Sequence, residues 1–310
     1  MSILKRLTAP ASLITAFAVG LSFPVLSVAQ PLVRPLVMCM LFMVFLQMNW
    51  GHLRLRISNF SILLANFCIP LSFFAILYAL GYPILALGAF LAGIAPTGTA
   101  APSVISFLRQ NVEYGVTSFV LTTFGITIAI PFILPHLITT SKQVQFWDIF
   151  TPIAVSTCTL VFIPVILSLI LRGLIPASQN MFPRFYRATS FGLWVCCITI
   201  MLGGASNTIH QSVAPSQHWF VPACFCVALA VCVTNFSLGF FLSKKYPHEA
   251  SQTLGQKNIS VSVVLAQMFC DPLTTIVPLM YILCHNSWNS YQMIRLGIKD
   301  SRLEQEEGKK

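Results

Sequence analysis

Charge is what this sequence lacks. Only 8% of its 310 residues are Asp, Glu, Lys or Arg, against roughly 25% in an ordinary soluble domain, which excludes a conventional water-facing surface. Negative charge is scarcer still, with 8 acidic residues against 18 basic ones. Enzyme motifs are missing as well. The six histidines are scattered without an HExxH-type spacing, and no Ser/His/Asp arrangement can be argued from the chain. The ten cysteines, Cys196 and Cys197 among them, mostly lie in apolar stretches without paired metal spacing, so they read as buried hydrophobes. The expectation is a protein that is not an enzyme, with no catalytic residue, no metal and no cofactor.

What is present is apolar sequence, 56% of the chain. A membrane-spanning helix needs about 20 apolar residues at about 1.5 Å rise each, and such runs follow one another nearly end to end. About ten are expected, near 9–29, 32–49, 59–80, 83–107, 112–138, 150–174, 188–207, 218–243, 250–270 and 272–292. Without water in the hydrocarbon layer, these segments must satisfy their own backbone groups, and they are longer than barrel strands. The expected fold class is all-α polytopic, with one transmembrane domain over 1–292 and a charged tail, ending SRLEQEEGKK, over 293–310.

The formal charge of +10 sorts by side of the bilayer. With ten spans, Lys5, Arg6, Arg54, Arg56, Arg109, Arg172, Arg184, Arg187, Lys244, Lys245, Arg295, Lys299, Arg302, Lys309 and Lys310 fall on one side. Arg34 and Lys142 fall on the other. By the positive-inside rule both termini face the cytoplasm. The basic residues then orient the chain, and a nucleic-acid partner is not expected. Lys5-Arg6, an apolar run and Ser27-Val28-Ala29 also have the layout of a cleavable signal peptide. The run is longer than a usual signal core, and its removal would leave nine spans; sequence alone leaves both readings standing.

Two spans are interrupted. The fourth carries GIAPTGTAAPS, Gly93 to Ser103, where two prolines remove backbone donors and two glycines relax the helix. The ninth carries TLGQKN, Thr253 to Asn258, and then resumes as an apolar run. Broken helices at matching positions, fourth of five and ninth of ten, are the signature of an inverted-repeat secondary transporter. Freed N–H groups at the start of a second half-helix attract an anion, and freed carbonyls at the end of the first attract a cation. The rival reading is that Pro and Gly are simply common in membrane helices.

The run GIAPTGTAAPSVISFLRQNVEYGVTS, with GQKNISVSVVLAQMF about 140 residues later, resembles the two crossover motifs of the bile acid/sodium symporter superfamily, in a divergent, bacterial-type form. Those proteins carry a PGGxxSN-like stretch then LAxGN at the fourth helix, and an ExGxQN-like stretch then LA at the ninth. The spacing from Pro96 to Asn111 and from Gly255 to Asn258 fits without a gap. The resemblance implies two inverted five-helix repeats with helices 4 and 9 broken and crossing. It implies a panel of helices 1, 2, 6 and 7 and a core of helices 3, 4, 5, 8, 9 and 10. It also implies alternating access to a small organic anion, such as a bile acid, sulfated steroid, keto acid or pantoate-like acid, usually driven by two sodium ions, in a cell membrane such as the bacterial inner membrane.

The chain departs from that pattern where sodium would bind. The family's Ser-Asn pair falls on Ala101 and Pro102, its two helix-5 hydroxyls on Gly115 and Phe119, its glutamate on Thr253 and its glutamine on Lys257. A hard cation needs oxygen ligands. A protonated lysine about 4 Å from such an ion would repel it by about 4 kcal/mol at an effective dielectric of about 20. Lys257 is therefore expected to replace sodium as a built-in charge, making transport sodium-independent. Proton-linked symport and plain exchange both remain open. Thr97, Gly98, Thr99, Lys257, Asn258 and Ser260 are the candidate substrate-binding residues. A lysine at mid-membrane costs roughly 2.5–3.5 kcal/mol and usually faces a cavity or partner, the alternative being that it snorkels to the interface. Glu113, Asp148, Glu249 and Asp271 all fall near span ends, so an unpaired lysine in a wet cavity is expected. Alternatives are a sodium-coupled anion symporter, an efflux carrier for a metabolite or an oxyanion such as arsenite, for which no cysteine stands at either break, or, from a different class, a membrane receptor or enzyme.

Overall fold

A computed structural model describes residues 3–138, 145–178, 183–213 and 219–307. Lys142, Lys309 and Lys310, used above for topology, lie outside them. The chain is all-helical: α1 (Ile3–Ser22), a 3-10 segment (Pro24–Leu32), α2 (Val33–Gln47), α3 (Ile57–Ala79), α4 (Pro83–Ile94), α5 (Ala101–Phe107), α6 (Val112–Leu137), α7 (Phe146–Leu174), α8 (Pro183–Ser212), α9 (Phe220–Leu242), α10 (Pro247–Gly255), α11 (Ile259–Phe269) and α12 (Ile276–Glu307). Six stretches among the described residues are long and apolar enough to cross a membrane, and α4 and α11 are shorter apolar helices. This is a polytopic integral membrane protein.

The helices are apolar on nearly every side, and neighbours decide which face is buried. In α3, Ile62, Ala65, Asn66, Ile69 and Pro70 are buried at helical spacing, while Phe60, Leu64 and Leu71 stay exposed. In α7, Ile163, Ile166, Leu167 and Ile170 are similarly exposed. Large apolar surface of this kind is matched by lipid tails. With little hydrophobic drive between helices inside a bilayer, close packing by small residues takes its place. Gly239 is one such contact: a Cβ there would lie 2.8 Å from the Ala250 carbonyl oxygen and from Ser251 Cα, so α9 and α10 approach nearly backbone to backbone.

Two packing groups emerge. α1, the 3-10 segment and α2 lie against α8, and α2 also lies against α7. α3 packs on α4, α6 and α9; α10 packs on α3, α6 and α9; α4 contacts α9, α11 and α12; and α5 lies on α6. The groups meet through α2 with α5, α6 with α7, and α8 with α12.

Two expected boundaries are corrected. The first span does not run to residue 29: Pro24 ends it, and the chain continues as a 3-10 segment that also contains Pro31, because proline lacks the amide donor an α-helix needs. The sixth starts earlier than expected, at Phe146, where the Gln145 backbone N–H donates to Asp148 Oδ2 at 3.0 Å. α12 runs on through the charged tail as far as Glu307. Its Arg, Leu, Glu and Gln residues are strong helix formers.

Candidate functional site

Both expected breaks are present. α4 ends at Ile94, where Ala95 turns to φ −49 and ψ 139, and α5 starts at Ala101. α10 ends at Gly255, and α11 starts at Ile259. The two interruptions meet as a single antiparallel bridge between Thr97 and Lys257. Gly98 N–H donates to the Gln256 carbonyl at 2.7 Å, and Asn258 N–H donates to the Pro96 carbonyl at 2.9 Å. The approach is tight at Gly98, where a Cβ would stand 3.1 Å from the Lys257 carbonyl oxygen and 3.2 Å from Gln256 Cγ.

Side chains take up other freed carbonyls. Thr97 Oγ1 donates to the Thr253 carbonyl at 2.6 Å and accepts from Thr122 Oγ1 at 2.8 Å. Tyr281 OH, from α12, donates to the Gly255 carbonyl at 2.7 Å and accepts from Asn235 Nδ2 at 3.1 Å. Ser262 Oγ ties α11 to the Leu91 carbonyl of α4 at 2.6 Å. The Gly98 and Asn258 N–H groups and the Pro96, Gln256, Thr253, Gly255 and Leu91 carbonyls are therefore bonded within the protein rather than left for a ligand. An unpaired backbone group in hydrocarbon costs several kcal/mol, so two breaks at one depth offset each other's cost.

Lys257 is also not the unpaired lysine that was expected. It is 3% exposed, and its Nζ donates to Asn66 Oδ1 of α3. The partner is a neutral amide, so a survey of acidic residues could not find it. The acids are engaged elsewhere, as helix caps and loop contacts: Glu249 Oε1 accepts from Asn111 N–H at 2.9 Å, Glu113 Oε1 from Asn49 N–H at 3.4 Å, and Asp271 Oδ1 from Leu273 N–H at 2.8 Å. Asn111 itself caps α6, its Oδ1 accepting from Tyr114 N–H at 2.7 Å.

A cavity of about 400 Å³ lies in front of the bridge. The 3-10 segment and α2 contribute Gln30, Val33, Arg34 and Val37; α7 adds Ile153, Ser156 and Leu160; α8 adds Met201 and Thr208. From the other packing group come Thr99, Asn258, Ser260, Gln267, Leu279 and Ile282. A pocket of this size, mostly aliphatic with a few convergent polar groups, suits a small molecule.

The six candidate binding residues divide. Thr99, Asn258 and Ser260 line the cavity. Thr97, Gly98 and Lys257 are buried behind it. Ala101, Pro102, Gly115, Phe119 and Thr253 are all buried too. Thr253 spends its hydroxyl on the Ala250 carbonyl at 3.1 Å, and a Cβ on Gly115 would meet Ile105 Cδ1 at 2.4 Å. Sequence reasoning missed Asn66, Tyr281 and Arg34. The first two are polar residues inside apolar helices, and the third is one of two basic residues on the sparsely charged side, so a weak signal existed for each.

The family model described as the Sodium Bile acid symporter family matches residues 25–212, more than half of the chain and inclusive of the first break. Curated proteins return no match.

Proposed function

Given that this chain belongs to the sodium bile acid symporter family, whose members are membrane transporters, we propose that it carries a small organic anion by alternating access without sodium, Lys257 standing in for the ion. The carrying observation is the position of the cavity. It lies between the two packing groups, directly in front of the bridge between the breaks, with aliphatic walls and the polar side chains of Thr99, Asn258 and Ser260.

In this reading, α1, the 3-10 segment with α2, α7 and α8 act as the panel. α3, α4 with α5, α6, α9, α10 with α11, and α12 act as the core, and the two halves are inverted repeats. Rocking core against panel would open the cavity to alternate sides. Both termini face the cytoplasm of a bacterial-type inner membrane, and the protein performs no covalent chemistry.

Lys257 supports the sodium-free reading through its location. Its backbone pairs with Thr97 and its buried ammonium is bonded to Asn66, and Ala101, Pro102, Gly115 and Phe119 offer no side-chain oxygen. A protonated lysine repels a second cation nearby. Cargo contact then falls to Thr99, Asn258 and Ser260, and the lysine holds the bridge in the geometry a bound ion would otherwise impose.

The test is uptake of labelled organic anions, from a short keto acid to cholate, into proteoliposomes with sodium and pH gradients imposed separately. Uptake that is indifferent to replacement of sodium by potassium is expected. Strong dependence on an inward sodium gradient would sink the role given to Lys257. A rate that follows the pH gradient would identify protons as the coupling ion, and uptake without either gradient would indicate exchange or facilitated diffusion.

A further inference from the structure

Four cations stand together where α3 and α10 begin: Arg54 and Arg56 just ahead of α3, and Lys244 and Lys245 between α9 and α10. An aromatic stack joins the two pairs. Tyr246 lies on Tyr114 with ring centroids 4.8 Å apart. The Arg56 guanidinium, 190 positions from Tyr246 in sequence, sits 4.7 Å from that ring's centroid and 5.7 Å from the Tyr114 centroid, and its Nη2 donates to Tyr246 OH at 3.4 Å. Lys245 Nζ is 5.5 Å from the same Tyr246 centroid. Both cations are held by ring faces, which brings the two basic pairs to one place.

The backbone adds to the same field. Arg56 is the N-cap of α3, Tyr246 is the N-cap of α10, and Tyr114 lies in the first turn of α6, so three helix N-termini, each with a partial positive charge, converge on the stack. The carboxylates in those first turns are Glu113 and Glu249, which accept from the Asn49 and Asn111 N–H groups. Two carboxylates against four cations leave the patch positive. Arg54, Lys244 and Lys245 are exposed, and so are the apolar side chains beside them, Leu55, Ile57 and Phe241. Exposed cations at helix ends, next to apolar side chains that face lipid, complement a molecule with an anionic head and acyl chains.

We propose that this patch is a binding site for an anionic phospholipid, its phosphate held by Arg54, Lys244 and Lys245 beside the charge of Arg56, and its acyl chains lying along Leu55, Ile57 and Phe241. None of these residues is among those lining the cavity, so the lipid is bound apart from any cargo. The site has a mechanical connection to the breaks. α10 runs nine residues from Pro247, beside the patch, to Gly255 at the bridge, and α3 carries Asn66, the partner of Lys257. A headgroup shared between Arg54 and the two lysines ties the start of α3 to the start of α10.

The experiment is native mass spectrometry of the full chain in neutral detergent, titrated with phosphatidylglycerol or phosphatidylcholine at fixed ionic strength. The first phosphatidylglycerol is expected to bind about ten- to a hundredfold more tightly than phosphatidylcholine, as for a phosphate meeting several cations. Arg54→Gln/Lys244→Gln/Lys245→Gln, whose targets are exposed and therefore marginal for folding, is expected to bring the two lipids level. Tyr246→Leu keeps every cation and removes the ring that holds Arg56 and Lys245, and is expected to lose about threefold of the preference. The charge-matched control Arg295→Gln/Lys299→Gln/Arg302→Gln is expected to keep the wild-type preference. A patch triple variant that retains the preference would overturn the site, and so would a control that loses as much of it or an unchanged preference in Tyr246→Leu. Displacement of the lipid by inorganic phosphate at the same ionic strength would mark a site for a soluble anion and overturn the lipid assignment.

Discussion

Replacing Asn66 by leucine isolates the ammonium of Lys257, and the consequence can be worked from the structure. The lysine is 3% exposed and its Nζ donates to Asn66 Oδ1. Loss of a hydrogen bond to a charged group costs about 1.5–3 kcal/mol, and stranding a buried charge raises that to about 3–5 kcal/mol. Lys257→Met removes the charge and leaves Asn66 with an unmatched oxygen, for about 1–3 kcal/mol. The double variant Asn66→Leu/Lys257→Met removes both partners, and buried polar pairs exchanged for apolar groups of similar volume are often close to neutral. The single costs should therefore fail to add, with a coupling of about 4–8 kcal/mol in magnitude, well beyond the roughly 0.5 kcal/mol scatter of independent sites. Unfolding of each variant by sodium dodecyl sulfate in mixed micelles, followed by circular dichroism, measures all four corners of the cycle. Costs that add within that scatter would refute the pairing, and with it the claim that Lys257 organises the bridge rather than facing the cavity.

Thr97→Val keeps the shape but loses the bond to the Thr253 carbonyl and the acceptor for Thr122. A loss of about 1–3 kcal/mol is expected in the same unfolding assay, together with slower uptake. Gly239→Ala drives a methyl group to within 2.8 Å of backbone atoms in α10, which cannot move aside as a side-chain end would. Overpacking of about 1–3 kcal/mol should appear as a lowered thermal midpoint. Asn111→Ala removes the cap on Tyr114 N–H and should cost about 0.5–2 kcal/mol, with faster amide exchange confined to the first turn of α6; Asn111→Asp should recover most of it. Asn258→Ala, at the cavity wall, should raise the KM for cargo while leaving the unfolding transition within about 0.5 kcal/mol of wild type, since the bridge uses the Asn258 backbone and not its side chain.

Much of the fold was legible because the bilayer leaves few options. Apolar runs of spanning length must be helices, and the expected intervals fall close to the observed α3, α6 and α9. Pro96, Gly98 and the polar run through Asn258 marked both breaks, since proline and glycine act on the backbone locally and leave their trace in one dimension. Where a second proline intruded, at Pro24, the same local rule was available and the apolar run masked it.

The pairing of the breaks is a different matter. That Gly98 meets Gln256 and that Asn258 meets Pro96 depends on two segments about 160 residues apart arriving at one depth, and nothing local encodes it. The partner of Lys257 is a neutral asparagine 191 positions away, invisible to any search for opposite charge. Arg34 was assigned only a side of the membrane by charge counting, and it took the packing of α2 against α7 to place it on a cavity wall. Composition and local backbone chemistry determined that this chain is a membrane-embedded helical protein with two interrupted spans. Which of its few polar groups satisfy one another, and which are left for a ligand, was decided only by tertiary packing, because hydrogen bonds in a low-dielectric interior are satisfied by whatever the fold brings within about 3 Å.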